Sequence, residues 1–377
     1  MRNKIAQMLD KTVTKSLLAT VLGFTVGAIA LICAGYNPLE AYAMMVTGIF
    51  TSPQNIVQIV FKSLPNILTG LSVAFAFKTG LFNIGGEGQY LIGAISAVLI
   101  GSWLQIPPVL SVIIIMLCSI IAGGLYGAFS GFLKARFGIS EVITTIMLNW
   151  IALYFNNYLI SLPGIGIPNS QYSHAINKTG WTNVLLNWKT SPQGQQYLAS
   201  HPTLSGILLG TDINYGIFAV IIAVVVIWFI IHNTTIGFRL NAVGSNKYAA
   251  ELAGINVNQS ITASMFIAGA VSGLAGGVQM TGILPHALTT LSTSPGYGFN
   301  GLTVALMANS SPIGCVFTAL FLAVLQFGGG TIQMNLGVPS EVINIMIGVI
   351  VFFIAISTLF TMISQKIGRK RDINVAA

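Results

Sequence analysis

The stretch that decides the fold is "PPVLSVIIIMLCSIIAGGLYGAFSGFL", residues 107–133, which contains no charged side chain. A membrane-spanning helix needs about 20 mostly apolar residues, so this run is long enough to cross a bilayer. The whole chain of 377 residues shares this character, because 54% of it is hydrophobic and only 6% is charged. A soluble domain carries roughly 25% charged residues. The sequence therefore predicts an all-α polytopic membrane protein.

Similar apolar runs recur along the chain and predict about ten transmembrane helices. The clearest runs are 16–35, 86–103, 107–133, 140–160, 214–232, 258–280, 312–328 and 341–363. Two others are interrupted: 56–77 contains Ser63 and Pro65, and 297–310 is short and rich in Gly and Asn. The first run follows a basic start but is long for a signal peptide, so we interpret it as a retained span.

The basic residues fix the predicted orientation of these spans. With both termini in the cytoplasm, three basic residues, Lys62, Lys178 and Lys189, fall outside the cytoplasmic stretches. The other thirteen lie inside: Arg2, Lys4, Lys11, Lys15, Lys78, Lys134, Arg136, Arg239, Lys247, Lys366, Arg369, Lys370 and Arg371. Cytoplasmic loops carry an excess of Lys and Arg. The net charge of +8 is therefore attributed to membrane topology, and no nucleic-acid partner is expected.

Polar composition divides the single transmembrane domain, 1–377, into parts. The longest polar stretch, 161–213, is predicted to lie outside the membrane. It is interpreted either as a cap of short interfacial helices or as a docking surface for an external partner. It separates a first five-span half, 1–160, from a second half, 214–377, which contains the cytoplasmic loop 236–258.

A repeated phrase relates the two halves. "ISEVITTIM" at 139–147 and "PSEVINIM" at 339–346 share Ser-Glu-Val-Ile, and each opens an apolar run. Because five spans per half is an odd number, the second copy would be inverted in the membrane. Glu141 then lies near the cytoplasmic face and Glu341 near the external face. Each Ser-Glu pair is either a helix cap or the site of a gate carboxylate.

The loop 236–258 is the clearest candidate for a functional element. Within it "NKYAAELAGI" predicts a short helix from Asn246 to about Leu252, ended by Gly254. Its alanines form a small-residue face that a partner could approach closely; they are Ala249, Ala250 and Ala253. An ordinary connecting helix is the alternative.

A second candidate region is "NIGGEGQ", residues 83–89. Its glycines lack the spacing and the basic residue of a phosphate-binding loop, so they are expected to break the helix beside a transport pathway. The candidate pathway or gate residues are Phe82, Asn83, Glu87, Gln89, Glu141, Thr144, Thr145, Asn149, Asn300 and Glu341. Amides and hydroxyls suit a neutral polar solute such as a nucleoside or sugar. Hydrogen bonds between helices are the alternative role for each of them.

Small residues also recur at four-residue spacing in two runs. Gly123, Gly127 and Gly131 form one ladder, and Gly269, Gly273 and Gly277 form the other. Such ladders favour close crossing of helices in a membrane.

No catalytic or metal-binding pattern is visible in the sequence. The histidines are scattered, and the three cysteines share no short spacing. No catalytic residue, metal site or cofactor is therefore predicted, and enzymatic activity is not expected.

Two motifs together resemble a known family. One is Gly-x-Asn-x-x-Ala-Ala-x-x-Ala-Gly-Ile-Asn at 244–256, and the other is "GLFNIGGEGQYLIGAISA" at 80–97. They are similar to motifs of ATP-binding-cassette importer permeases of the ribose, branched-chain amino acid and nucleoside superfamily. The second motif is closest to nucleoside permeases that work with a basic-membrane-protein type lipoprotein. The resemblance covers residues 60 to 365.

The resemblance implies a type II importer permease with ten spans in the plasma membrane of a bacterium. Its cytoplasmic helix would couple to a separate ATPase through Gly244, Asn246, Ala249, Ala250, Glu251, Ala253 and Gly254. ATP would bind that partner, because this sequence has no P-loop motif. A second permease in a heterodimer and an extracellular substrate-binding lipoprotein would complete the transporter. A permease for a sugar or branched-chain amino acid is the first alternative, and a secondary transporter with inverted repeats is the next.

Overall fold

The computed structural model describes residues 12–356, with side chains from residue 18 onward. The described chain is predominantly helical. The helices are α1 (Thr12–Cys33), α2 (Pro38–Phe50), α3 (Pro53–Lys78), α4 (Gly86–Trp103), α5 (Pro108–Phe137), α6 (Glu141–Ser161), α7 (Leu186–Lys189), α8 (Pro192–Ala199), α9 (Pro202–Gly210), α10 (Gly216–Asn233), α11 (Thr235–Ser245), α12 (Lys247–Leu252), α13 (Val257–Gly282), α14 (Tyr297–Met307), α15 (Pro312–Leu336) and α16 (Ser340–Ala355).

Each apolar run of the sequence coincides with one of these helices. The run 86–103 has the same bounds as α4. The run 107–133 continues to Phe137 in α5, which ends where Gly138 adopts a left-handed conformation (φ 69°). The predicted end of the last run, beyond residue 356, and the cytoplasmic placement of both termini lie outside the described residues.

Among the described residues, five helices are long and apolar enough to cross a membrane: α3, α5, α10, α13 and α15. The number becomes six if Leu18–Cys33 and Pro38–Phe50, which are bent by 118° relative to each other, form one broken span. The chain is therefore a multi-pass helical membrane protein. The count of ten spans and the inverted repeat remain predictions.

The described chain forms two compact units. One contains residues 53–323, and the other combines 12–52 with 324–356. In the second unit, Gly23 of α1 approaches the backbone of Ile350 in α16 so closely that a Cβ would lie 2.9 Å from its Cα. The Tyr42 hydroxyl of α2 donates to the Phe24 carbonyl of α1 at 2.7 Å. Close backbone approach at a glycine and hydrogen bonds between segments thus contribute to holding this unit together.

The core of the unit 53–323 is built around α13. Its ladder meets the ladder of α5: a Cβ on Gly269 would collide with the Gly123 carbonyl, and one on Gly273 with the Ser119 carbonyl. On another side of α13, a Cβ on Gly276 would collide with the Tyr90 carbonyl of α4. The close crossing predicted for each ladder is confirmed: the two ladder helices cross each other, and α13 also packs closely against α4.

Two ends of this unit are distinguished by their contacts. At the Lys78 end, the end of α3 meets α11, and residues of the α5–α6 connection share a cavity with α12. At the His286 end, segment 161–213 contains the short helices α7, α8 and α9 and pairs with 283–290. There the Ile176 amide donates to the His286 carbonyl at 2.9 Å.

The sequence leaves the repeated phrase as either a helix cap or a gate site, and the serine side chains form no capping hydrogen bond in either copy. Ser140 occupies the N-cap position of α6, but its side chain makes no capping hydrogen bond. In the second copy Pro339 is the N-cap and Ser340 already lies within α16. The Ser340 hydroxyl instead donates to the Glu341 carboxylate at 3.2 Å.

Candidate functional site

The turn between α3 and α4 is held by buried amide side chains. Asn83 and Gln89 are 0% and 2% exposed and pair reciprocally. The Asn83 Nδ2 donates to Gln89 Oε1 at 3.0 Å, and Gln89 Nε2 donates to Asn83 Oδ1 at 3.2 Å. The same Asn83 oxygen accepts the Gly85 amide at 3.0 Å. Both candidate pathway residues therefore serve to shape the turn.

Asn149 of α6 completes this turn from a neighbouring helix. Its Oδ1 accepts the Gly88 amide at 2.8 Å, and its Nδ2 donates to the Ile84 carbonyl at 3.1 Å. A buried backbone amide or carbonyl without a partner is costly, so Asn149 stabilises an irregular backbone that α4 alone cannot satisfy. Thr144 and Thr145 bond back to carbonyls of their own helix.

Glu87 is fully buried and binds the start of α14. Its Oε1 accepts the Gly296 amide at 2.7 Å, and its Oε2 accepts the Gly298 amide at 2.6 Å. The first amides of a helix have no partner within that helix, and a carboxylate there is favoured by the helix dipole. Glu87 therefore caps α14 from another helix. Asn300 lies in the first turn of α14, the helix that Glu87 caps.

The two glutamates of the repeated phrase have different surroundings. Glu141 forms an ion pair with Lys134 and accepts the Phe82 amide at 3.4 Å. It therefore links the end of α5 to the turn before α4. Glu341 belongs to the other compact unit and is exposed. Apart from Glu341, the candidate pathway residues all belong to the unit 53–323, where hydrogen bonds join Asn83 with Gln89 and Glu141 with the Phe82 backbone.

The predicted short helix of the loop 236–258 is confirmed as α12. Asn246 is its N-cap, and its side chain accepts the amides of Tyr248 and Ala249 at 3.0 and 3.1 Å. Gly254 follows the helix with φ 80°, a left-handed conformation that glycine adopts without strain. The preceding helix, α11, was not predicted.

The exposed face of α12 differs from the predicted one. Ala250 is only 4% exposed and faces the protein, so it cannot belong to a surface that meets a partner. Tyr248 and Leu252 are 68% and 91% exposed, and Ala249 and Ala253 are exposed beside them. These four residues form a contiguous apolar surface, which we call the α12 face.

The α12 region is packed against the transmembrane helices. A Cβ on Gly244 would collide with the Lys78 carbonyl at the end of α3. A cavity of about 730 Å³ lies beside α12 and is lined by residues that include Lys134, Tyr248 and Glu251. Lys134 lines this cavity and also pairs with Glu141. The cavity beside α12 therefore borders the ion pair that holds the turn before α4.

A smaller cavity lies at the His286 end and was not predicted. Its volume is about 220 Å³, and Tyr90, Asn156, Gln279, His286 and Tyr297 contribute its polar groups. The rings of Tyr90 and Tyr297 are 5.1 Å apart. Tyr90 lies one turn after Glu87, and Tyr297 lies between the two glycines whose amides Glu87 binds. The Glu87 cap therefore positions both aromatic walls.

His286 is the most constrained polar residue of this cavity. It is 1% exposed, and Trp181 stacks on its ring with centroids 4.3 Å apart. Its Nδ1 lies 2.9 Å from the Met280 carbonyl, which can only accept, so Nδ1 carries the proton. Burial lowers the pKa of His286 from its ordinary 6.5, against smaller opposing effects of the Met280 bond and of Asp212. The imidazole is therefore neutral.

Two acceptor atoms of this cavity lack a hydrogen-bond partner among the described residues. They are Nε2 of His286 and Oε1 of Gln279, and both atoms are buried. A buried acceptor that loses its water without gaining a donor costs about 1–3 kcal/mol. The sequence offered one hint of this site, since "ILPHALTT" (283–290) interrupts the apolar runs with a histidine after a proline.

The chain is a multi-pass helical membrane protein, and comparison with known families gives its class, a permease component. Residues 55–355 match the family model described as "Branched-chain amino acid transport system / permease component". The chain belongs to this family. Permease components are transport subunits rather than enzymes, in agreement with the sequence-based expectation.

Particular relatives share most of the chain. It is 37% identical to the guanosine ABC transporter permease protein NupP of Bacillus subtilis, over 94% of this chain and 96% of the relative. It is 35% identical to the nucleoside ABC transporter permease protein NupB of Lactococcus lactis, over 93% and 92%. The glucose ABC transporter permease protein TsgB13 of Haloferax volcanii is 28% identical, over 91% and 87%.

Proposed function

We propose that this chain is the permease subunit of an ATP-driven nucleoside importer in a bacterial plasma membrane. The observation that carries the proposal is its 37% identity to a guanosine permease along nearly the full length of both chains. The second relative is also named for nucleosides, at 35% identity. A neutral solute agrees with a buried core whose polar groups are mainly amides and hydroxyls.

A sugar is the second candidate substrate. The relative named for glucose is 28% identical over most of both chains, and a sugar is also a neutral polar solute. Uptake of labelled guanosine by cells that carry or lack this chain, with ribose or glucose as competitor, decides between them. Chain-dependent uptake that neither sugar reduces supports the nucleoside assignment. Chain-dependent uptake of glucose but not guanosine overturns it.

ATP would be bound and hydrolysed by a separate ATPase subunit that docks on the α12 face. Tyr248 and Leu252 are the large apolar residues of this surface, and both are strongly exposed. Gly244, which packs against Lys78, and the ion pair of Lys134 with Glu141 would connect this surface to the turn before α4. This chain itself would need no cofactor.

The α12 end of the unit would face the cytoplasm. Lys78, Lys134, Arg136, Arg239 and Lys247 all lie at or near this end, whereas Lys178 and Lys189 lie in the segment at the opposite end. This distribution follows the positive-inside rule. Both termini would then be cytoplasmic, and the fold would contain ten spans in two inverted five-helix repeats.

Two further partners would complete the transporter. Segment 161–213 would dock an extracellular substrate-binding lipoprotein, for which it offers exposed aromatic residues such as Tyr172 and Tyr197. A second permease chain would form the other half of the pathway, and a heterodimer is the expected arrangement. Mass measurement of the transporter extracted from its native membrane tests both partners.

A further inference from the structure

The cavity at the His286 end combines features that the transport mechanism above does not use. Aromatic and aliphatic walls, including Tyr90, Tyr297, Leu91 and Leu288, surround a space of about 220 Å³. Pockets for drug-sized ligands run to roughly 300–1,000 Å³. The space therefore suits a flat fragment of a solute rather than a large molecule.

We propose that this cavity is a nucleobase subsite, in which His286 Nε2 and Gln279 Oε1 accept hydrogen bonds from the N–H groups of guanine. The proposal rests on the proposed nucleoside transport and assigns it a binding position within this chain.

The donor pattern of the base follows from the two acceptors. Because Nδ1 of His286 carries the proton and bonds to Met280, Nε2 presents a lone pair. Oε1 of Gln279 is a second acceptor without a partner among the described residues. Guanine has two adjacent donors, N1–H and the N2 amino group. On the corresponding edge adenine has one donor group beside an acceptor, so it satisfies one of the two atoms.

The surroundings distinguish a base from the other parts of a nucleotide. A ribose would place its hydroxyl groups against apolar walls and leave the aromatic surfaces without a flat partner. A phosphate would need a cation, and no Lys or Arg lies among the described residues that line the cavity. The subsite therefore takes the base of an uncharged nucleoside.

His286→Asn is a matched variant for the first acceptor. His286 has φ 58°, a left-handed conformation that Asn tolerates. The Asn amide can still donate to the Met280 carbonyl, but it has no group in the place of Nε2. Gln279→Met removes the second acceptor at similar length. Exposed residues of segment 161–213 supply the matched controls, His174→Asn and Gln196→Met.

The test is equilibrium binding of tritiated guanosine to the purified full chain in lipid nanodiscs, with the thermal unfolding midpoint of each variant measured in parallel. We expect His286→Asn and Gln279→Met each to weaken binding about tenfold, while both controls bind like the unmodified chain. Adenosine should compete more weakly than guanosine, and ribose and guanosine monophosphate should not compete. If the unmodified chain does not bind guanosine, if both variants retain full affinity, or if ribose competes as well as guanosine, the subsite is wrong. A variant that unfolds is replaced by Gln279→Leu or by His286→Gly, since glycine also adopts the left-handed conformation of residue 286.

Guanosine uptake by cells separates this inference from the proposed function. If chain-dependent uptake keeps its apparent affinity in both variants, the subsite is wrong and the permease assignment stands. If no guanosine uptake depends on the chain, the proposed function fails. In that case, guanosine binding to the purified chain would still identify a base-binding cavity, provided that the two variants weaken it.

Discussion

Glu87 and Gly298 are 211 residues apart in the sequence, and the Gly298 amide donates to the Glu87 carboxylate at 2.6 Å. With the Gly296 amide at 2.7 Å, this contact fixes the start of α14 against the start of α4. A Cβ on Gly298 would collide with the Glu87 backbone, so glycine permits the approach. One carboxylate thus joins the start of α4 to the helix that carries Tyr297.

Replacing Glu87 by Gln should destabilise this junction. The amide keeps one oxygen acceptor and turns an NH₂ group toward one of the two backbone donors. Hydrogen bonds to charged groups contribute about 1.5–3 kcal/mol each, and we expect a loss of that order. Thermal unfolding of the purified chain in detergent measures it, with the exposed Glu40→Gln as the control. Equal unfolding midpoints for both variants would refute the capping role.

Replacing Gly273 by Ala should disrupt the crossing of α13 with α5. The added methyl group meets the Ser119 carbonyl and the Gly123 backbone, which belong to a packed helix and cannot move aside. Overpacking of this kind costs about 1–3 kcal/mol. The matched control is Gly330→Ala in α15, where a Cβ meets nothing within 4 Å. We expect a lowered unfolding midpoint for the first variant only, and comparable midpoints would contradict the packing role.

Guanosine binding should depend on pH through His286. Its pKa lies below 6.5 because burial disfavours the charged ring. Binding should therefore be constant at higher pH and decline only below 6.5, as protonation of Nε2 removes the acceptor. The other ionisable side chains near His286 are Asp212, Tyr90 and Tyr297. Binding curves across pH for the unmodified chain and His286→Asn should differ in this decline, and superimposable curves would exclude His286.

The sequence predicted those features that depend on local pattern. Apolar length located the helices, and Asn246 with Gly254 marked the two ends of α12. The helix α2 was missed although Asn37, which accepts the Leu39 amide, and Pro38 form a recognisable start. The helix itself has only 13 residues and contains Glu40, so the sequence did not register it as a span.

Features that depend on tertiary packing were not predictable from one sequence. Ala249 and Ala250 are adjacent and identical, yet only Ala250 is buried, because the packing of α12 against its neighbours decides which side faces inward. The partners of Glu87 come from more than 200 residues further along the chain. His286 and Gln279 form a candidate site only because the fold places them in one cavity with Tyr90 and Tyr297.

In the proposed mechanism, the α12 face transmits the work of a separate ATPase to a nucleoside pathway. Leu252 is 91% exposed, so replacing it by Asp should leave the fold and guanosine binding unchanged. A central apolar residue of an interface contributes strongly to association, and we expect ATP-dependent uptake to fall about tenfold or more. The exposed Leu39→Asp in α2 is the control.

The most direct measurement is ATP-dependent uptake of labelled guanosine by cells carrying the unmodified chain, Leu252→Asp or Leu39→Asp, at equal amounts of chain in the membrane. We expect loss of uptake for Leu252→Asp alone, together with loss of the ATPase from the purified transporter. Full uptake by Leu252→Asp, with the ATPase still attached, would contradict the proposed mechanism.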